Sequence, residues 1–256
     1  MTTARRLRLD ALLVDRGLAA SRERARALVL AGQVRVAGQT VTKAGTPVAR
    51  DAEISLSAPD HPYVSRGGLK LAHALGVFGI DVAGRLALDV GASTGGFTDV
   101  LLRRGARRVV ALDVGHGQLD WRLRTDPRVV VLEHLNARTL GADQLPEDAR
   151  RFDVVTVDVS FISLRAILPA VRPLLAPDAD VVALVKPQFE AGRDEVGKGG
   201  LVKDPAVHRR VVEEIRAEAG RLGLATVATA DSPITGVEGN REFLLHLRPG
   251  ERRDAR

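Results

Sequence analysis

The stretch LALDVGASTGGFTD, residues 86–99, decides how the chain is read. Leu86 to Val90 is a short apolar run of strand length. A glycine-rich turn, Gly91-Ala92-Ser93-Thr94-Gly95-Gly96, follows it and leads through Phe97 into a helix. Glycines let a backbone approach a ligand closely and adopt positive φ. The spacing is D-x-G-x-x-x-G and not the G-x-G-x-x-G of dinucleotide binders, so the tight pyrophosphate turn is missing and a nucleoside ligand is favoured.

Working outward, strands are expected at Leu86 to Val90, Val109 to Asp113, Val129 to Glu133, Val154 to Val159, Val181 to Lys186, Ala225 to Ala230 and Phe243 to Leu247. Helical patterns alternate with them, and one more helix around Leu69 to Leu75 precedes them. This implies an α/β, Rossmann-like, doubly wound sheet of seven strands. The last two strands lack an intervening helix and read as an antiparallel pair. Ligands in such sheets bind outside the carboxyl ends of the strands. Four apolar strands end in, or run directly into, a charged residue: Asp89, Asp113, Asp158 and Lys186. Asp113 lies 22 residues after Gly91, where the end of the second strand meets ribose hydroxyls.

Ahead of this domain, Leu9, Leu12 and Leu13 share a helical face, and Ser21 caps a second helix that carries Ala25, Leu28 and Val29 and stops at Gly32. Val34, Val36, Val41, Val48, Ile54 and Leu56 then alternate as short strands around an Ala37-Gly38 turn. A small α+β domain over 1–57 is therefore expected. The double-proline stretch through Pro59 and Pro62 marks a linker over 58–64, followed by the α/β domain over 65–250 and a flexible tail over 251–256.

The charge is unevenly distributed. Residues 1–50 hold ten basic side chains against three acidic ones, a net of +7, while the whole chain carries +6. Arg5, Arg6, Arg8, Arg22, Arg24 and Arg26 cluster around the two short helices and suit a phosphate-bearing partner. Aromatics are nearly absent from this segment, which points to reading the backbone and shape of folded RNA and away from stacking on unpaired bases.

The absence of cysteine excludes disulfides and thiolate zinc sites, and the six histidines show no HxxxH or HExxH spacing, so no metal is expected. No apolar run approaches the ~18 residues of a membrane span, which together with the absence of a secretory core reads as cytoplasmic. The segment from Gly192 to Gly200 reads as a mobile loop beside the cleft, and His208 as a helix-surface residue.

The motifs SRGGLKL at Ser65 to Leu71, DVGASTGGFTD, VDVSFISL at Val157 to Leu164, LVKPQFE at Leu184 to Glu190 and GNREF at Gly239 to Phe243 extend the pattern over nearly the whole chain. In them the sequence resembles the hemolysin A, or TlyA, family of ribosomal RNA 2'-O-methyltransferases, whose catalytic domain is FtsJ-like. Arg8 through Val36 is similar to the RNA-binding domain of ribosomal protein S-four. The resemblance implies cytidine 2'-O-methylation in ribosomal RNA with S-adenosylmethionine as cofactor. It places a lysine, aspartate, lysine, glutamate tetrad on Lys70, Asp158, Lys186 and Glu242, with Lys186, close to Lys70 and partly desolvated, nearest to a general base. The glycine loop and the strand ends set the cofactor among Asp89, Gly91, Ala92, Ser93, Thr94, Gly95, Gly96, Phe97, Asp113 and Asn136, with Ser93 and Thr94 as candidate contacts to its methionine part, or as turn stabilisers, and Asn136, soon after the third strand, as a candidate contact to adenine. The competing readings are a noncatalytic ribosome-assembly factor, against which the intact tetrad speaks, and a membrane-lysing protein, for which no span is present.

Overall fold

The computed structural model describes residues 6–19, 21–30, 32–56, 61–236 and 239–250. Arg5, Pro59 and the 251–256 tail lie outside the described residues. The chain divides into two compact units, one ending at Pro62 and one starting at Tyr63.

In the first unit, β1 (Arg6–Arg8) runs straight into α1 (Leu9–Asp15), and α2 (Arg22–Leu30) follows. The Ser21 hydroxyl oxygen accepts the backbone N–H of Arg24 at 3.1 Å, the cap expected of serine at a helix start. Strands β2 (Val34–Val36), β3 (Gln39–Thr40) and β5 (Ile54–Leu56) form a small sheet in the order β3-β2-β5, while β4 (Pro47–Ala49) pairs antiparallel with β1. Ala37 and Gly38 both take positive φ, 48° and 76°, at the hairpin between β2 and β3, the conformation that a tight two-residue turn demands. Leu9, Leu12, Leu13, Ala25, Leu28, Val29 and Val34 close the core. The strand β1 has no counterpart in the sequence reading, because three residues with exposed arginines at both ends give no alternation to detect.

The second unit opens with Tyr63 and Val64, assigned to the linker by composition but folded onto the domain: the backbone N–H of Val64 donates to Asp99 Oδ2 at 3.0 Å. The Tyr63 side chain lies so close to Gly68 that a Cβ there would meet it at 2.5 Å. Helix α3 (Gly67–Val77) precedes a seven-stranded sheet made of β6 (Leu86–Val90), β7 (Arg108–Leu112), β8 (Val129–Leu132), β9 (Phe152–Val157), β10 (Leu175–Val185), β11 (Leu224–Asp231) and β12 (Phe243–Pro249). Its order is β11-β12-β10-β9-β6-β7-β8. Only β12 runs against its neighbours, pairing antiparallel with both β10 and β11. Helices α6 (Leu164–Val171) and α8 (Pro205–Arg221) cover one face of the sheet, α3 and α4 (Gly96–Arg103) cover the other, and the single-turn α5 (Trp121–Arg124) lies between β7 and β8 in the chain. The central strands are mostly apolar because both faces are buried, with Asp89 of β6 and Thr156 of β9 among the buried polar exceptions. Strand order reverses beside β6, so the crevice opens at the carboxyl ends of β6, β7 and β9.

Candidate active site

The glycine loop lies at that crevice. Gly91 has φ +86° and sits against the backbone of the next strand, where a Cβ would come within 2.3 Å of the Asp158 carbonyl oxygen. Only glycine satisfies both conditions. The N–H groups of Gly91 and Ala92 donate to the Leu112 carbonyl at 2.8 and 3.0 Å, and Gly95, at φ +96°, turns the chain into α4. Ala92, Gly95, Gly96 and Phe97 are buried, leaving Ser93 and Thr94 exposed at the loop tip. Asp113, just after β7, accepts the Ser93 N–H on Oδ2 at 2.8 Å and the Gly115 N–H on Oδ1 at 2.7 Å. It therefore joins the loops that follow β6 and β7.

Asp89 departs from expectation. It is the fourth residue of β6, wholly buried, and not part of an open rim. Thr98 of α4 donates to its Oδ2 at 2.7 Å and Thr156 of β9 to its Oδ1 at 2.9 Å. Burial raises its pKa to about 6; the two hydroxyls oppose this and the Asp158 charge adds to it. Asp89 thus ties the first turn of α4 to the strand that ends at the site.

The four residues of the expected tetrad form two close ion pairs. Lys186 Nζ is 2.6 Å from Asp158 Oδ1, and Lys70 Nζ is 2.5 Å from Glu242 Oε2. Each carboxylate oxygen meets its ammonium at ion-pair distance but outside the angles of a directed hydrogen bond. Asp158 follows β9 and Lys186 follows β10, two parallel neighbours. The register of β10 with β12 sets Val185 opposite Phe243, which brings Glu242 beside Lys186. Lys70, on α3, reaches Glu242 from the covering helix. Lys70, Lys186 and Glu242 are 8, 9 and 3% exposed, so these charges are largely removed from water. Lys186 also donates to the Ser160 hydroxyl oxygen at 2.9 Å.

Next to this cluster stands a residue to which sequence reasoning gave no role. Phe161 has φ +64° and is 91% exposed, with its ring centroid 5.1 Å from that of Phe189. Phe189, in the short helix α7 (Pro187–Glu190), lies with its ring centroid 6.0 Å from Lys186 Nζ. A large apolar side chain held in a left-handed conformation and turned to solvent is an outlier that calls for a functional reason. The one available signal was a phenylalanine in the short segment between the charged end of a strand and the next helix.

Asn136 is exposed and caps a short 3-10 turn, its Oδ1 accepting the Arg138 N–H at 3.0 Å. His208 is not a surface residue: it is 5% exposed, with Nε2 2.8 Å from the Val202 carbonyl oxygen and its ring beside Phe243. The sequence pattern missed this because α8 begins beneath the segment that precedes it. That glycine-rich segment carries a 3-10 turn at Arg193–Glu195, and the buried Asn240 fastens its end, accepting from Val202 N–H and donating to the Gly200 carbonyl. Of the basic residues named in the first unit, Arg6, Arg8, Arg22 and Arg26 are exposed and Arg24 is half-buried.

Sheet order, glycine loop and a rim of carboxylates define a class I methyltransferase type of fold. Residues 63–249 match the FtsJ-like methyltransferase family and residues 7–54 the S4 domain. The chain is 50% identical over 246 residues to the 16S/23S rRNA (cytidine-2'-O)-methyltransferase TlyA of Mycobacterium tuberculosis, covering 96% of this chain and 91% of that protein. It is 40% identical to Hemolysin A of Brachyspira hyodysenteriae, covering 94% and 99% respectively. A solved structure described as a hemolysin candidate from Streptococcus thermophilus is 43% identical, with a TM-score of 0.76 over 97% of this chain and 90% of that one. The chain belongs to the TlyA branch of the FtsJ-like methyltransferases.

Proposed function

We propose that the protein transfers a methyl group from S-adenosylmethionine to the ribose 2'-hydroxyl of a cytidine in ribosomal RNA, acting in the cytoplasm. The observation that carries the reading is the pair of buried lysine–carboxylate contacts beside the glycine loop. Two largely desolvated ammonium groups at a nucleoside crevice cost stability even when paired, and charged groups held in this way in a cleft are typical of sites that move protons. The names of the relatives supply the nucleotide and the RNA.

The residues at the crevice fit the cofactor. Asp113 offers a carboxylate to ribose hydroxyls, and the Gly91–Gly95 backbone with Ser93 and Thr94 offers polar groups to the amino-acid end. Asn136 stands on the rim for the base. When bound, S-adenosylmethionine would supply an electrophilic methyl group, its methyl–sulfur bond breaking as the acceptor oxygen bonds to carbon and the electron pair leaving on a neutral thioether. A ribose hydroxyl is a weak nucleophile until its proton is drawn away. Lys186 is the residue nearest to a base. An ammonium has no lone pair, so Lys186 must first release a proton, after which its Nζ takes the hydroxyl proton as the oxygen–carbon bond forms. Asp158 orients that amine and stabilises the ammonium that results. Lys70, fixed by Glu242, directs its charge at the ribose and phosphate. Phe161 offers an exposed ring on which the target base stacks once it leaves its helix.

The test is transfer of labelled methyl to separate small and large ribosomal subunits that lack the modification. Label on ribose with the wild type and none with Lys186→Ala protein supports the reading. No label despite tight binding of RNA and cofactor favours a noncatalytic assembly factor. As for a lytic role, no helix among the described residues is long and apolar enough to cross a membrane.

A further inference from the structure

One carboxylate in the first unit has three arginines around it. Asp10, in the first turn of α1, has no exposed surface. Arg8, the last residue of β1, holds it with two nearly parallel bonds, Nε to Oδ1 at 3.0 Å and Nη2 to Oδ2 at 2.8 Å. From α2, Arg26 Nε reaches Oδ2 at 3.3 Å, and Arg22 Nη2 approaches both oxygens at 3.4 and 3.5 Å. Arg22 and Arg26 are four residues apart and so share a helix face. These bonds, first that from Arg8, hold the Asp10 carboxyl well below its ordinary range despite its burial.

The outer parts of the three arginines remain open. Their side chains are 52, 54 and 55% exposed. A guanidinium has five N–H donors; Arg8 commits two to Asp10, while Arg22 and Arg26 each direct a single nitrogen at it. Three free guanidinium groups repel one another and sample many rotamers. Around one buried anion they are held close with a net charge of +2 and donors still facing outward. Planar guanidinium forks match phosphate oxygens in pairs.

We propose that Asp10 is the positioning residue of a phosphate clamp, which presents Arg8, Arg22 and Arg26 as one rigid surface to the sugar–phosphate backbone of folded RNA. This rests on reading those arginines as RNA-binding and gives the site its organiser. It also reverses a simple expectation. If the arginines acted as independent charges, removing the carboxylate would raise the local charge and tighten RNA binding through counterion release. If Asp10 sets their geometry, removing its charge frees the three side chains and binding weakens.

The experiment uses full-length protein and a transcribed ribosomal RNA, with affinity measured across a salt series and melting temperature and S-adenosylmethionine affinity as controls. Asp10→Asn is expected to bind RNA at least fivefold more weakly at matched salt and with a shallower salt dependence, while cofactor affinity and melting are unchanged. RNA binding as tight as wild type, or tighter, overturns the clamp. Should Asp10→Asn lower the melting temperature, the Arg22→Lys/Arg26→Lys protein decides, since it keeps every charge but loses the fork: a fivefold loss supports the clamp and unchanged affinity overturns it. The protein with Arg8, Arg22 and Arg26 all changed to Ala tests the underlying reading separately. Wild-type RNA affinity there rejects the RNA-binding role of these arginines, and the clamp with it; a loss there with tighter binding by Asp10→Asn rejects the clamp alone.

Discussion

Lys186 and Asp158 meet at 2.6 Å across two neighbouring parallel strands, each just beyond the end of its strand. Their separation is therefore set by sheet pairing and not by flexible loops. Changing Lys186 to Ala or Asp158 to Asn is expected to lower the methyl-transfer rate by at least about a hundredfold, within the range that proton-transfer groups contribute. S-adenosylmethionine affinity, measured by calorimetry, should change less than threefold. Transfer at the wild-type rate by either folded variant rejects the assignment.

Lys70 and Glu242 make a more deeply buried pair, so the two single variants should cost more stability than the double one. Glu242→Ala leaves a buried ammonium and Lys70→Ala a buried carboxylate, each on the order of 3–5 kcal/mol, whereas an apolar pair such as Lys70→Met/Glu242→Leu removes both charges. Denaturant unfolding should find the double variant more stable than either single one. Methyl transfer should be absent from all three.

Phe161 offers a test that separates fold from function. At φ +64° an L-residue is strained by about 1–2 kcal/mol, and glycine is not. Phe161→Gly should therefore be at least as stable as Phe161→Ala. Both should raise the RNA KM or lower turnover by an amount equivalent to about 1–3 kcal/mol, the contribution of one stacked base. An undiminished rate with Phe161→Ala would remove the ring from the site.

Two buried aspartates should respond to pH in opposite directions. Asp89 has a folded pKa of about 6, above the ordinary 3.8, so the native state binds its proton more tightly. Its contribution is present below the ordinary value and lost as pH rises through about 6. At Asp180, burial favours the neutral form, but bonds from His246, Arg248 and Arg85 outweigh it and hold the carboxyl well below its usual range. Its contribution is present above 3.8 and lost as the medium becomes more acid. Between pH 7 and 4, the stability of wild type relative to Asp89→Asn should therefore rise. Relative to Asp180→Asn, it should be large throughout that window and shrink only below pH 4.

Gly91→Ala should be damaging in a way no surface alanine is, because the added methyl would collide with the Asp158 carbonyl at 2.3 Å while the backbone keeps positive φ. Loss of both cofactor affinity and methyl transfer is expected, read by calorimetry and label incorporation. Gly76→Ala, whose Cβ would meet nothing within 4 Å, serves as the control.

Much of this was legible in the sequence because the sheet of the second unit is regular. Each buried central strand is a predominantly apolar run, and the antiparallel last pair was visible from the missing helix between Ala230 and Phe243. Asp158 and Lys186 stood out as charges at strand ends, but Lys70 and Glu242 were legible only through resemblance, since a lysine on α3 and a glutamate before a strand look like surface residues until the fold brings them inside. Asp89 and His208 were misplaced because polar residues satisfied by tertiary partners, Thr156 of another strand for one and the carbonyl of the preceding loop for the other, carry no local sign of burial. Phe161 was overlooked because backbone dihedrals leave no trace in composition.

The insertion of β12 between β10 and β11 has a consequence for synthesis. Of all the strands in its sheet, β12 is the latest along the chain, yet it fills an interior position, and Glu242 arrives with it. Until that segment has emerged, β10 and β11 have no common neighbour and Lys70 lacks its counter-ion. Arg8, Arg22 and Arg26, by contrast, are translated near the start. If these arginines hold RNA as proposed, a growing chain acquires its affinity for nucleic acid long before it can alter any, and partial products are silent binders rather than careless catalysts.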